Sequence, residues 1–161
     1  MSAAVRVSVE PVPHPTDEVR ALIVELDTTL SADYPPEQRH GLNFDAIFVP
    51  NIRFFIARLD AVAAGCGGVA LFEDFAEVKR MYVREQLRGS GIADAVLSRI
   101  ERETRDAGLN ILRLETGDSL AAALRFYARS GFAPSEPFGY YLTLPKDSIA
   151  RSVFLEKRLD T

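Results

Sequence analysis

Apolar and polar positions first alternate at the start of the chain, where Val5, Val7 and Val9 are separated by Arg6 and Ser8 and followed by Glu10. That period of two predicts a short strand with one buried face. Pro11, Pro13 and Pro15 then forbid continued pairing, and Thr16 followed by Asp17 and Glu18 carries a helix-start signal. Val19, Leu22, Ile23, Leu26 and Leu30 recur at helical spacing and predict an amphipathic helix. Residues 31–50 are polar and contain Tyr34-Pro35-Pro36, which reads as a loop with room for one short helix.

From Ile52 the period changes. Two β-prone runs, residues 53–59 and 64–71, flank Asp60-Ala61 and predict an antiparallel hairpin. A third strand is expected over residues 77–83. A glycine turn comes next, then a helix with Ile92, Val96, Ile100 and Ala107 on one face, closed by Gly108. Residues 111–116 form a further apolar strand. Strand, helix and strand in that order predict a βαβ unit with parallel strands and a right-handed crossover. A second helix is expected over residues 119–130, capped by Asp118 or Ser119 and ended by Gly131. Two last strands are expected at 138–144 and 152–159. The fold class is therefore α/β with a mixed sheet, and residues 1–161 are expected to form a single domain.

Composition narrows the function classes. The chain has 161 residues, 47% hydrophobic and 26% charged, the profile of a globular domain able to bury a core. A formal net charge of -4 argues against a nucleic-acid partner, although a local basic patch can still hold a small phosphate ligand. Residues 1–10 carry no apolar run followed by a small-residue cleavage site, and no apolar stretch nears the roughly 20 residues of a membrane helix. A cytoplasmic protein with no membrane association is expected. The one cysteine, Cys66, excludes an internal disulfide and reads as a buried, inert thiol. His14 and His40 are the only histidines, and no metal cluster or G-x-S-x-G serine elbow is present.

The sharpest motif is Arg88-Gly89-Ser90-Gly91-Ile92-Ala93, between a strand and a helix. The first amides of a helix are unpaired and the macrodipole adds positive charge there, so this is an anion site. Gly89 and Gly91 would let a phosphate approach the backbone. A glycine turn made only for tight packing is the competing explanation. A P-loop would need Gly-Lys-Ser/Thr where Ile92-Ala93 stand. A dinucleotide fingerprint would need glycine at Asp94 and the first strand of a doubly wound sheet.

The pattern Arg88-x-x-Gly91-x-Ala93 behind Met81-Tyr82-Val83 resembles the signature of the GCN5-related N-acetyltransferase (GNAT) family. The resemblance extends through Leu114-Glu115-Thr116 and Ala123-x-x-x-Tyr127-x-x-x-Gly131-Phe132, and residues 152–159 look like the last strand of bacterial members. It implies an acyl-CoA N-acyltransferase fold, a mostly antiparallel sheet holding one parallel βαβ unit. It also implies acetyl-CoA as cosubstrate and direct attack by an amine on the thioester.

Carried over residue by residue, the Met81-Tyr82-Val83 strand would face the pantetheine, and Arg88, Gly89, Ser90, Gly91, Ile92 and Ala93 would hold the pyrophosphate. The Val83 amide is the candidate donor to the oxyanion. A primary ammonium has a pKa near ~10 and needs a base, for which Glu77 is the candidate. Pairing with Lys79 or Arg80 is the competing role for Glu77. Tyr127 would be the acid that protonates the leaving thiolate, with an ordinary core aromatic as the alternative. Members often carry Asn where this chain has Leu120, which leaves the pantetheine arm without that contact.

Three functions remain open at this point: acetyl transfer to a small-molecule or peptide amine, acetylation of a protein lysine or N-terminus, and a non-catalytic acyl-CoA-binding module. A homodimer is compatible with each. Asp33, Glu37 and Asp45 are candidates to attract a cationic acceptor, and Arg53 or Arg80 to bind an acceptor carboxylate.

Overall fold

The computed structural model describes residues 6–160, so the expected place of Val5 in the first strand lies outside the described residues. Seven strands form one sheet in the order β1-β2-β3-β4-β5-β7-β6. The first four, β1 (Val7–Pro11), β2 (Ile52–Leu59), β3 (Val62–Leu71) and β4 (Ala76–Val83), pair antiparallel in sequence order. The β2–β3 hairpin turns at Asp60-Ala61, with Asp60 left-handed at φ 56° and its carboxylate accepting from the Arg6 amide.

Alternation along β2 distributes its side chains between two cores. Phe54 and Ile56 join Val19, Leu22, Ile23 and Cys66 beneath α1 (Asp17–Asp33). Ala57 instead faces Val96, Leu97 and Ile100 of α2 (Ile92–Asp106). A strand buried on both faces needs apolar residues at both parities, which is what residues 54–57 supply. Thr16 caps α1, its hydroxyl accepting from the Val19 amide at 3.2 Å.

The parallel pairing expected of the βαβ unit holds: β4 runs parallel to β5 (Ile111–Gly117) with α2 between them in sequence. They pair only at Ala76↔Leu112 and Glu77↔Arg113. Residues 78–83 and 114–117 then diverge, and the sheet splits open. On the far side, β5 pairs along its whole length with β7 (Ser152–Arg158), which carries the two-residue β6 (Ala133–Pro134) at the edge.

Several expectations need correction. Residues 138–144 do not form a strand. Gly139 takes φ 53° and the chain folds into a 3-10 turn, Gly139–Thr143, which drops Tyr141 into an aromatic cluster with Phe138 and Phe154. The helix α3 (Ala121–Arg129) starts later than expected, at a Leu120 cap with no side-chain bond. Asp118 and Ser119 are otherwise occupied, because the Tyr34 hydroxyl lies 3.2 Å from Asp118 Oδ1 and 2.8 Å from Ser119 Oγ. The helix α2 stops at Asp106, so Ala107 is its cap and not part of its apolar face. Residues 31–50 contain two 3-10 turns, Pro36–Gln38 and Asp45–Phe48, in place of one short helix.

Candidate active site

A bulge in β4 prepares the opening. The register of β3 against β4 slips between Cys66↔Tyr82 and Gly68↔Lys79, so Arg80 and Met81 together oppose Gly67. Arg80 takes a left-handed backbone, φ 55°, a conformation that costs a non-glycine residue about 1 kcal/mol. The bulge changes side-chain parity. Val78 and Met81 face the α2 core, whereas Arg80 bonds Asp27 on α1 and Tyr82 bonds Glu25 on α1.

Beyond the bulge the ladder resumes. The Arg84 amide donates to the Ala64 carbonyl at 2.9 Å, so Tyr82 and Arg84 point their amides at β3. Alternation therefore turns the Val83 N–H away from β3, toward the gap. The Val83 carbonyl accepts from Arg88 Nε at 3.2 Å, which ties the glycine turn to the strand end.

The turn itself is open. Gly89 and Gly91 have φ 85° and 82°, and a Cβ at either would meet nothing within 4 Å. Among the described residues, no group accepts a hydrogen bond from the N–H of residues 89–94; the first helical bond runs from Ala95 to Gly91. Successive unpaired amides at the N-terminus of a 15-residue helix make a site for a phosphate or pyrophosphate. The turn opens on a cleft of about 690 Å³. Met81, Tyr82, Val83, Arg88, Gly89, Gly91, Ile92 and Ala93 line it; Ser90 is exposed and outside the lining. Arg125 and Arg129 of α3 line it as well and add cationic charge. Their spacing of four on one helix was the signal in the sequence.

A second, smaller cavity of about 150 Å³ lies on the other side of the opening. Its wall includes Tyr34, Gln38, Arg39, His40 and Gly41, so part of the 31–50 segment roofs it. Asp33, Glu37, Asp45 and Arg53 are absent from its lining, whereas Arg80 is present. The roof is pinned by His40 Nε2 against the Ser148 carbonyl at 2.8 Å and by Ser148 Oγ donating to the Glu37 carbonyl at 2.9 Å.

Leu26, Leu30, Met81, Leu120, Ala123 and Tyr127 line both cavities. Tyr127 is 7% exposed and packs edge-on against Phe132, yet its hydroxyl has no hydrogen-bond partner among the described residues. Burial pushes its phenol well above the ordinary range, so it holds its proton. Leu120 presents an apolar wall to both cavities, where an asparagine would offer a donor and an acceptor.

Glu77 is 4% exposed and lines neither cavity. Its Oε2 accepts from the Tyr141 hydroxyl at 2.6 Å and lies 2.9 Å from Lys79 Nζ. Glu115, which sequence reading passed over, does line the smaller pocket, where Ser152 Oγ donates to it at 2.6 Å. Burial lifts its carboxyl from 4.5 to about 7 and Glu77 adds to the rise, against the opposing pull of Ser152 and Lys79. Glu115 belongs to an alternating strand, and nothing local marks it; its burial comes from β7 packing alongside.

Cys66 is fully buried beneath α1, and desolvation pushes its thiol up to about 12. No group of three or more potential metal ligands occurs among the described residues, and none of their helices is long and apolar enough to cross a membrane.

Comparison with known proteins agrees with this geometry. The model of the acetyltransferase (GNAT) family matches residues 19–132. An IAA acetyltransferase of Azospirillum brasilense is 42% identical over 145 residues, covering 89% of this chain and 92% of that protein. An uncharacterized N-acetyltransferase of Bacillus subtilis, YsnE, is 32% identical over 88% of this chain and 93% of its own. The fold is shared with a GNAT family acetyltransferase from Elizabethkingia anophelis solved with acetyl-CoA bound, at a TM-score of 0.67 and 17% identity over 95% of this chain and 98% of that one. The chain belongs to the acetyltransferase (GNAT) family and is an acyl-CoA-dependent N-acetyltransferase with acetyl-CoA as its cosubstrate.

Proposed function

We propose that the protein acetylates the primary amine of a small molecule, with transfer taking place where the two cavities share Tyr127. The observation that carries this reading is the position of Tyr127 and Met81 in the walls of both cavities, at the split between β4 and β5. The larger cleft suits coenzyme A: the free amides of residues 89–94 would hold its pyrophosphate, with Arg88, Arg125 and Arg129 adding charge. The strand edge at Met81 and Val83 would meet the pantetheine. Acetyl-CoA supplies an activated thioester, which an uncharged amine attacks directly.

The chain's own groups then divide the work. The Val83 N–H is placed to donate to the carbonyl oxygen as it gains negative charge. Tyr127, protonated and without a partner among the described residues, donates its proton to the departing sulfur and takes up the one that the attacking nitrogen sheds on becoming an amide. Glu115 takes the proton from the incoming ammonium; a carboxyl near 7 is ionised about half the time at neutral pH and is a stronger base than an ordinary carboxylate. Glu77 stands behind it, orienting Lys79 and Tyr141 and raising the Glu115 pKa.

The roof at residues 38–41 favours a small acceptor over a lysine on a folded protein surface, which would need an open groove. Release of free thiol from acetyl-CoA across a panel of small amines and lysine-bearing peptides tests the choice. Turnover confined to small amines supports it, and faster turnover of peptides than of any small amine would reverse it.

A further inference from the structure

Two side-chain nitrogens stand out from the rest of the molecule. Among the described residues, Arg39 Nε and Arg80 Nε are the only buried side-chain nitrogen or oxygen atoms without a hydrogen-bond partner. Both arginines line the smaller cavity. Buried polar groups are almost always paired, and a buried N–H of a guanidinium left unpaired is costly, so both side chains keep unused donor capacity beside the cavity they line.

Most charges around that cavity are paired internally, and Glu115, bonded to Ser152, is the acid in its lining. Lys79 pairs with Glu77, Arg151 with Asp118, and Arg80 with Asp27. Arg39 has no carboxylate within ion-pair distance among the described residues and donates no side-chain hydrogen bond. Gly41, two residues later, sits so close to the Arg80 guanidinium that a Cβ there would overlap Nη1. The roof segment that carries Arg39 therefore packs directly on Arg80.

We infer that the acceptor is an amino acid or a similar small amine bearing a carboxylate, and that Arg39 and Arg80 clamp this carboxylate while the amine points toward Tyr127. This rests on the small-amine reading above and names its substrate class. Arg39, without a carboxylate partner among the described residues, matches the single charge of a carboxylate better than the near-double charge of a phosphate, which Glu115 in the same lining would oppose further. The planar fork of arginine suits two carboxylate oxygens. The size agrees: cavities near 150 Å³ hold roughly a benzene-sized molecule, which fits a small amino acid and leaves little room for more. The left-handed backbone at Arg80 gains a purpose, since the bulge is what turns that side chain from the sheet opening toward the α1 side.

The test compares small α- and β-amino acids with their own carboxamides as acceptors, at fixed acetyl-CoA. The amide's amine is the more easily deprotonated of the two, so chemistry alone favours the amide. The clamp predicts the reverse, a kcat/KM at least about thirtyfold higher for the free carboxylate. In Arg39→Gln that ratio should fall to near one through a raised acceptor KM, and Arg39→Lys should restore part of it. Arg39 is only partly buried and serves better than Arg80, whose replacement endangers the fold. Equal or better turnover of the carboxamides, or an unchanged ratio in Arg39→Gln, overturns the clamp while leaving small-amine transfer intact. Failure of every small amine, with peptides turned over, overturns both.

Discussion

The Tyr141 hydroxyl donates to Glu77 Oε2 at 2.6 Å, and the same oxygen lies 2.9 Å from Lys79 Nζ. Three groups from β4 and the turn after β6 thus close on one another behind the smaller cavity. Tyr141 also packs edge-on against Phe138 and Phe154, so the polar contact and the aromatic cluster hold the same segment. With side chains 5% and 12% exposed, the Glu77–Lys79 pair is shielded enough for its geometry to matter.

Glu77→Gln should therefore act mainly on stability. Removing one charge strands Lys79, at a cost of about 3 kcal/mol, or roughly 6–12 °C in melting temperature. Catalysis measured well below the transition should fall less than in Glu115→Gln. Thermal melts beside steady-state kinetics check this, and a stable Glu77→Gln protein with the larger catalytic loss would restore Glu77 as the base.

Glu115 predicts a pH dependence in two observables. The folded pKa of about 7 lies above the 4.5 of an unperturbed glutamate, so the folded state binds the proton more tightly. The stability that this protonation contributes is complete below about 4.5 and is lost as pH rises through about 7. Glu115→Gln should melt above the wild type at pH 8, with the gap closing toward acid. Over the same range kcat/KM should rise in the wild type as the carboxylate forms. The variant should lack that limb and lose about a hundredfold at neutral pH. A parallel pH profile in the variant would rule Glu115 out.

At the glycine turn, coenzyme A should bind at least tenfold tighter than pantetheine, about 1.4 kcal/mol, because only the former carries the pyrophosphate. Gly91→Val should narrow that ratio. The ratio is more telling than either affinity, since any side chain at φ 82° is strained whatever it touches. Calorimetry giving equal affinities would remove the turn from the binding site.

Cys66 should not react. Its thiol is enclosed between α1 and the sheet and its pKa stands near 12. Iodoacetamide at pH 8 should leave the folded protein unlabelled and fully active. Rapid labelling with loss of activity would reopen a covalent route.

The strands and helices that bury one clean face were legible in the sequence. Val96 and Ile100 announced α2, and residues 53–71 announced the hairpin, because burial writes its period directly into neighbouring positions. Residues 138–144 misled for the opposite reason: an apolar, aromatic run can satisfy a core as a turn, and Gly139 made the turn accessible. The cleft was legible as well, since Gly89 and Gly91 are needed locally for a backbone with open amides. The smaller cavity was not. Arg39 and Glu115 come together only through the packing of the roof and β7, and no spacing within either segment records that meeting.

Tyr127→Phe examines the shared wall most directly. The change removes one hydroxyl that has no partner among the described residues and keeps the ring against Phe132, so packing and melting temperature should change little. If Tyr127 protonates the departing sulfur, kcat should fall by about ten- to a thousandfold while acetyl-CoA affinity is retained. Steady-state kinetics and coenzyme A calorimetry on this one variant give both quantities. A stable Tyr127→Phe protein that turns over at the wild-type rate would contradict proton donation at the junction of the two cavities.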